Sequence, residues 1–177
     1  MNCLKFFYQS IRHPREIGTI VPTSDYTAEL MAKEIEGQEI VEFGAGTGVI
    51  THSILEHLSK NSHLTCFEIN NEFCKCLRDR YSKDIEEKRL RVINESAKNL
   101  EDYVQNPDCI VSALPLALWG EEEREALLEK SKNARKYIQI QYNFWSAHTY
   151  KRYFNKVKRK LSLLNIPPAY IYICKAN

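Results

Sequence analysis

Short apolar segments alternate with longer amphipathic segments through most of this chain. The apolar segments predict β-strands at Glu39–Phe43, Leu64–Glu68, Leu90–Asn94, Cys109–Ala113 and Tyr137–Gln141. The intervening segments predict helices at Thr47–Ser59, Asn71–Ser82, Ala97–Tyr103 and Glu121–Ser131. Strands that alternate with helices are typical of crossover units, so the chain is predicted to be an α/β protein with a parallel sheet.

The end of the chain departs from this alternation. The runs VKRKLSLL and AYIYICK are strand-like and are separated only by residues 165–168, which is too short a link for a crossover helix. They therefore predict an antiparallel hairpin. A chain of 177 residues is about one domain. We expect a helical extension or lid at residues 1–36 and one globular unit at residues 37–177.

The stretch VEFGAGTGVIT (41–51) sets three glycines directly after the first predicted strand. Glycines let a backbone pass close to a ligand, although a tight structural turn would also explain them. Glu68 ends the next strand, where a carboxylate can accept hydrogen bonds from ribose hydroxyls. Glu42 places a second carboxylate beside the loop, which favours a cationic ligand over a pyrophosphate. The third glycine also comes one residue earlier than in a dinucleotide loop. The pattern therefore favours S-adenosylmethionine, which carries a sulfonium and an ammonium, over a nicotinamide cofactor.

With its E-x-G-x-G-x-G loop, the acid after the second strand and the terminal hairpin, the chain resembles the class I S-adenosylmethionine-dependent methyltransferases. Four stretches also resemble the small bacterial phospholipid N-methyltransferases, which are related to the ribosomal RNA adenine dimethyltransferases: IRHPREIGTIVPTS (11–24), VEFGAGTGVIT (41–51), IVSALPL (110–116) and LLNIPPAYIY (163–172). The resemblance implies a Rossmann-like, seven-stranded, mostly parallel sheet of order 3-2-1-4-5-7-6. In this fold the last strand is antiparallel and helices cover both faces.

The resemblance also implies which residues bind the cofactor, S-adenosylmethionine, and its product, S-adenosylhomocysteine. The glycine loop would cradle the methionine moiety, Glu68 would hold the ribose, and the segment after the third strand would lie against the adenine. The implied cofactor-binding residues are Glu42, Gly44, Ala45, Gly46, Thr47, Gly48, Glu68, Ile69, Glu95, Ser96, Ala97, Ser112 and Thr19. Residues 19–24 would form part of a lid.

The implied methyl acceptor is the amine of phosphatidylethanolamine. Aromatic faces suit the methylated ammonium products, and the candidate catalytic residues are Tyr142, Tyr26 and Ser112. Phe144 stands where the resemblance implies a tyrosine. The segment SALPL (112–116) lacks the amide and the aromatic ring that adenine methyltransferases use, which disfavours a nucleic acid substrate. The alternatives are an RNA or DNA adenine methyltransferase and a non-catalytic cofactor-binding protein.

The distribution of charge is uneven and suggests an anionic partner. Residues 130–177 carry 11 Lys and Arg and no acidic residue, whereas residues 1–129 have a net charge of −9. A nucleic acid would suit this asymmetry, and so would a phospholipid substrate in an anionic membrane surface. Basic residues that only solvate the outer face of the last helix and strands would also explain it. An amphipathic segment near the N-terminus predicts an interfacial helix, or alternatively a lid, through Leu4, Phe7, Ile11, Lys5, Arg12 and Arg15.

The cysteines and the N-terminus bear on where the protein resides. The six cysteines are scattered, which predicts free thiols in a reducing cytoplasm and no metal site. No secretory signal or membrane span is recognisable. We therefore expect a cytoplasmic protein that associates peripherally with the inner face of the membrane.

Overall fold

One seven-stranded sheet forms the centre of the molecule in the computed structural model, which describes residues 23–142 and 147–176. Its strands are β1 (Glu39–Phe43), β2 (His63–Phe67), β3 (Leu90–Ile93), β4 (Cys109–Ser112), β5 (Lys136–Gln141), β6 (Lys156–Ser162) and β7 (Ala169–Lys175). They lie in the order 3-2-1-4-5-7-6. Strand β7 is antiparallel to both of its neighbours, and the remaining neighbouring pairs are parallel. The fold class expected from the sequence is confirmed.

The helices pack on the two faces of this sheet. They are α1 (Asp25–Ala32), α2 (Val49–His57), α3 (Asn71–Arg80), α4 (Ser82–Glu86), α5 (Glu121–Ser131) and α6 (Ala147–Lys151), with 3₁₀ turns at Ala97–Asp102 and Leu116–Leu118. The predicted α-helix after β3 is instead a 3₁₀ segment, because Asn99 has non-helical backbone angles. Ser24 caps α1, because its Oγ accepts a hydrogen bond from Thr27 N at 3.2 Å.

Each face of the sheet has its own apolar core. Ile40 of β1 packs with Met31 and Ile54, on the face that α1 and α2 cover. Val41 points to the opposite face and belongs to the core that includes Leu128 of α5. Because β1 is buried on both faces, every side chain from Ile40 to Phe43 is enclosed. This burial determines the environment of Glu42.

The free-thiol prediction is only partly confirmed. Cys66, Cys74, Cys109 and Cys174 are free and buried, whereas Cys76 is disulfide-bonded. Within residues 23–142 and 147–176, no group of three or more His, Cys, Asp or Glu side chains could hold a metal ion. No helix in these ranges is long and apolar enough to cross a bilayer.

Candidate cofactor site

The glycine loop leaves β1 at the middle of the sheet and turns directly into α2. Gly44 N donates to Phe67 O at 2.8 Å, which fixes the start of the loop against the end of β2. Gly46 and Gly48 both have positive φ, at +51° and +81°. These angles are ones that side-chain-bearing residues rarely adopt, so the loop needs glycine at both positions.

The space around these two glycines differs. A Cβ built on Gly48 would lie 2.7 Å from Leu77 Cδ2, so the close packing of α3 explains this glycine. Among the described residues, a Cβ built on Gly46 would meet nothing closer than Gly44 O at 3.9 Å, so no described side chain fills the space beside Gly46. Gly46 is the part of the loop that leaves room for a ligand.

Glu68 lies directly after β2 and bonds to the loop. Its Oε2 accepts a hydrogen bond from Gly46 N at 2.8 Å, and its Oε1 accepts one from Asn70 N at 2.8 Å. Burial raises the pKa of this carboxyl group, and the two backbone donors partly offset that effect. Each carboxylate oxygen can accept more than one hydrogen bond, so Glu68 can still bind a pair of hydroxyls.

Glu42, which the sequence places beside the loop, is fully buried. Its Oε2 accepts hydrogen bonds from Thr51 Oγ1 at 2.6 Å and from Cys66 Sγ at 3.1 Å. Its Oε1 is buried without a hydrogen-bond partner among the described residues. Burial raises the pKa of Glu42 to about 7, with smaller opposing effects from the hydroxyl and thiol donors. A nearby cation would stabilise its charged form.

The edge of the predicted adenine pocket follows β2 and β3. Ile69 is largely exposed, and its carbonyl oxygen accepts a hydrogen bond from Asn94 Nδ2 at 3.0 Å. Glu95 accepts a hydrogen bond from Asn99 Nδ2 at 3.1 Å, and Ser96 caps the following 3₁₀ turn. Ala97 is buried beneath them. The segments after β2 and β3 therefore carry an exposed apolar side chain and a carboxylate, the two features predicted to contact an adenine ring and its amino group.

Ser112 lies in the core at the end of β4 and is completely buried. Its Oγ accepts a hydrogen bond from Leu114 N at 3.3 Å, and it also bonds to the buried Tyr137. The Ser112 side chain therefore stabilises the segment SALPL from within, and it offers no open hydroxyl to a substrate. Leu116 of the same segment is also completely buried.

Tyr142 follows β5 and connects three segments at the carboxyl edge of the sheet. Its hydroxyl is 3.0 Å from Thr23 Oγ1 and also bonds to Asn165. Asn165 is fully buried in the β6–β7 turn and accepts a hydrogen bond from Ser24 N at 2.8 Å. Tyr26 lies in the first turn of α1 and is about half exposed. The sequence alone did not identify Asn165, although a single Asn inside the apolar run LLNIPP is a recognisable signal.

Several predicted residues lie outside the part of the chain that the structure describes. These are Thr19 of the cofactor set, Phe144, and the six residues of the proposed membrane helix, namely Leu4, Phe7, Ile11, Lys5, Arg12 and Arg15. Their roles stay predictions.

The described residues fit S-adenosylmethionine. Gly46 leaves open space above the loop, Glu68 offers acceptors at the end of β2, and Glu42 has an unpartnered buried oxygen. The loop combines this room with negative charge, which suits a ligand with a sulfonium and an ammonium. We predict that Glu42 and the loop bind the methionine end and that Glu68 binds the ribose.

Comparisons with known proteins agree with this geometry. A family model described as "Methyltransferase domain" matches residues 40–136, which is more than half of the chain. The chain is 26% identical to an ornithine lipid N-methyltransferase of Singulisphaera acidiphila, over 97% of this chain and 92% of that protein. It is 33% identical to ribosomal RNA small subunit methyltransferase A of Mesomycoplasma hyopneumoniae, over 46% of this chain and 29% of that protein.

Solved structures support the fold. A precorrin-6y C5,15-methyltransferase from Geobacter metallireducens superposes with a TM-score of 0.69 at 12% identity, covering 89% of this chain and 91% of that one. A magnesium protoporphyrin IX methyltransferase from Synechocystis with bound S-adenosylmethionine gives a TM-score of 0.71 at 8% identity, covering 100% and 98%. At these identities the likeness is one of fold.

Proposed function

This chain belongs to the class I S-adenosylmethionine-dependent methyltransferases, and we propose that it methylates the amine of a lipid headgroup at a membrane surface. Its cofactor is S-adenosylmethionine. The proposed acceptor is carried by the likeness to an ornithine lipid N-methyltransferase, which extends over 97% of this chain. Phosphatidylethanolamine remains the first substrate to test, and an ornithine lipid is the second.

The chemistry requires little of the protein beyond positioning. Bound S-adenosylmethionine would supply a methyl group on a sulfonium: the acceptor nitrogen would bond to the methyl carbon in line as the bond from carbon to sulfur breaks, and S-adenosylhomocysteine would leave as a neutral thioether. The chain must hold that nitrogen within about 3–3.5 Å of the methyl carbon and exclude water. A lipid amine with a pKa of about 10, as in lysine, must also lose a proton first. Transfer of the amine from water into a partly buried site favours its neutral form.

Tyr142 is the proposed positioning group for the amine. It follows β5, two strands from β1, and neighbouring strands lie about 4.8 Å apart, so it stands roughly 10 Å from the glycine loop across the sheet edge. Burial raises the pKa of its hydroxyl, so the group remains protonated near neutral pH and can hydrogen-bond to the acceptor. Tyr26 is the second aromatic candidate, for contact with the methylated product.

Adenine methylation is the second candidate function, and the partial match to a ribosomal RNA methyltransferase favours it. The segment after β4 argues against it. The Ser112 hydroxyl bonds to Leu114 N and Tyr137, and Leu116 has no aromatic ring, so neither residue supplies the amide or the stacking face that would hold a flipped base. The match to the RNA enzyme also covers less than half of this chain.

Transfer of label from methyl-labelled S-adenosylmethionine tests the proposal. The full-length protein is incubated with phosphatidylcholine vesicles that contain phosphatidylethanolamine or an ornithine lipid, with vesicles of phosphatidylcholine alone, and with ribosomal RNA. Label is expected in an amine lipid and in neither control. Label in RNA alone would overturn the lipid proposal, and tight cofactor binding without label in any sample would indicate a non-catalytic protein.

Residues 1–36 were expected to form a helical extension or lid, but α1 packs in the apolar core through Ala28 and Met31. The lid is therefore proposed for residues 1–24, with a membrane-binding helix in residues 1–12. Leu4, Phe7 and Ile11 share one face of the predicted helix, and basic residues flank it. Deletion of residues 1–12 should weaken binding to anionic vesicles while cofactor affinity changes less. Vesicle binding equal to that of the full-length chain would remove this helix from the proposal.

A further inference from the structure

The turn between β6 and β7 exposes a concentrated group of large apolar side chains. Within the described residues, seven large apolar side chains are exposed, and four of them belong to this turn and the adjoining end of β6. We call these four the hairpin tip: Leu161 at 50% exposure, Leu163 at 69%, Leu164 at 64% and Ile166 at 90%. Isolated exposed leucines are common, but a contiguous group of exposed apolar side chains on one turn marks an interaction surface.

Buried polar contacts hold the hairpin tip in place from inside. Asn165 lies between the exposed side chains and is itself fully buried. Its Oδ1 accepts a hydrogen bond from Ser24 N at 2.8 Å, and its Nδ2 donates to Pro167 O at 3.2 Å. Ser162 is also buried, with its Oγ 2.8 Å from Thr27 Oγ1. The polar residues of this turn therefore point inward, whereas its apolar residues point outward.

Cationic side chains precede the hairpin tip on β6, which is the exposed edge strand of the sheet. Residues 147–176 contain seven Lys and Arg and no acidic residue. Lys158 and Arg159 are both exposed and, as consecutive residues of a strand, point to opposite faces of the sheet. Arg159 lies two residues before Leu161, which is about 7 Å along a strand. An apolar end followed by cations on both faces matches the acyl and phosphate layers of an anionic bilayer.

We propose that the hairpin tip inserts into the interface of an anionic membrane, with Lys158 and Arg159 at the level of the lipid phosphates. This inference rests on the proposed lipid substrate, and it adds a membrane-docking site in the described part of the chain. Asn165 connects the tip to Tyr142, so docking would turn the carboxyl edge of the sheet toward the headgroups. A lipid amine could then reach Tyr142 without leaving the membrane.

Partition into vesicles of phosphatidylcholine and phosphatidylglycerol tests the docking site. These vesicles contain no primary amine, so binding is measured apart from methylation. The double variant Leu163→Ser/Leu164→Ser is expected to lower the partition coefficient at least tenfold, because it removes apolar side chains that the interface would bury. The matched control is Leu118→Ser, at a leucine with 68% exposure outside the hairpin, and it should bind like wild type.

The contribution of charge is tested in the same assay. Lys158→Gln/Arg159→Gln should weaken binding about fivefold for each removed cation, and added salt should reduce the difference. Lys60→Gln/Lys83→Gln removes two exposed cations from another part of the molecule and should have little effect.

Three results would overturn the docking site. The first is that the leucine variant partitions into vesicles as wild type does. The second is that the control variants lose as much binding as the hairpin variants. The third is that the leucine variant changes its oligomeric state or its RNA binding while its partition into vesicles is unchanged. Methylation of an amine lipid in detergent micelles separates this failure from failure of the proposed function. The leucine variant should retain micellar activity and cofactor affinity. If wild type methylates no lipid but the leucine variant still loses vesicle binding, the docking site stands and the proposed substrate fails.

Discussion

Replacement of Glu42 by glutamine should remove a pH dependence from the stability of this protein. Glu42 is fully buried, and burial raises its pKa from 4.5 to about 7. Between these pH values the native protein holds a proton at Glu42 that the unfolded chain has released. The free energy of unfolding therefore falls as the pH rises through this window. Since each pKa unit corresponds to about 1.4 kcal/mol, the loss from this one group is about 3 kcal/mol.

Glu42→Gln is the appropriate change because glutamine is nearly isosteric and does not titrate. Its amide oxygen can still accept the Thr51 hydroxyl that now bonds to Oε2. Its amide nitrogen would take the place of Oε1, which lacks a partner among the described residues. The variant should thus resemble the protonated wild type at about pH 5 and become the more stable protein, by up to about 3 kcal/mol, at about pH 8.

Urea-induced unfolding, followed by circular dichroism at several pH values between about 5 and 8, measures this difference. Other titrating groups contribute to both proteins, so the informative quantity is the wild-type value minus the variant value at each pH. Glu39→Gln is the matched control, since Glu39 lies on the same strand but is exposed. Parallel pH profiles for wild type and Glu42→Gln would refute the reasoning, because Glu42 would then be ionised normally in the native protein.

Four further substitutions test the candidate site. Gly46→Ala should cost about 1 kcal/mol of stability because of its positive φ, and it should weaken cofactor binding at least tenfold, whereas Gly48→Ala should chiefly destabilise the fold, by about 2–3 kcal/mol. Denaturation measures the loss of stability and calorimetry measures cofactor binding. An unchanged cofactor Kd for Gly46→Ala would contradict the assignment of Gly46 to the cofactor site. Glu68→Gln should raise the cofactor Kd about tenfold or more, because an amide cannot accept at both oxygen positions; calorimetric titration measures it, and a wild-type Kd would exclude the ribose role. Tyr142→Phe loses the hydroxyl contact with Thr23 and should lower the methylation rate with little change in cofactor Kd; the reverse pattern would place Tyr142 with the cofactor.

The sequence predicted β1 to β5 well because these strands are short and mostly buried. The predicted bounds of β1 and α5 agree with the structure, and the other predicted bounds from β1 to β5 differ by at most two residues. Apolar runs bounded by polar turns define such strands with little ambiguity. The 3₁₀ segment after β3 was less predictable, because the difference from an α-helix depends on local backbone angles.

Side-chain orientation at the site could not be predicted in the same way. In a strand buried on both faces, neither the hydrophobic pattern nor the motif shows which enclosed partners a polar residue meets. Glu42 bonds to Thr51 and Cys66, which are 9 and 24 residues away, and these contacts exist only once β1, β2 and α2 have packed. The same applies to Ser112, whose motif suggested the reaction centre although its side chain bonds within the core.

The pairing register of the β6–β7 hairpin determines which side chains lie at the end of the basic strand β6. The basic C-terminal quarter was visible in the sequence, but a basic strand could equally have faced RNA. Antiparallel pairing of Ser162 with Ala169 leaves six residues in the turn, and the inward contacts of Asn165 force the neighbouring leucines outward. Apolar side chains at the end of a cationic strand suit a lipid interface better than a phosphate backbone, because nucleic acid offers them nothing apolar to enter. The acceptor is therefore best sought among lipids, at the edge of the sheet where Asn165 meets Tyr142.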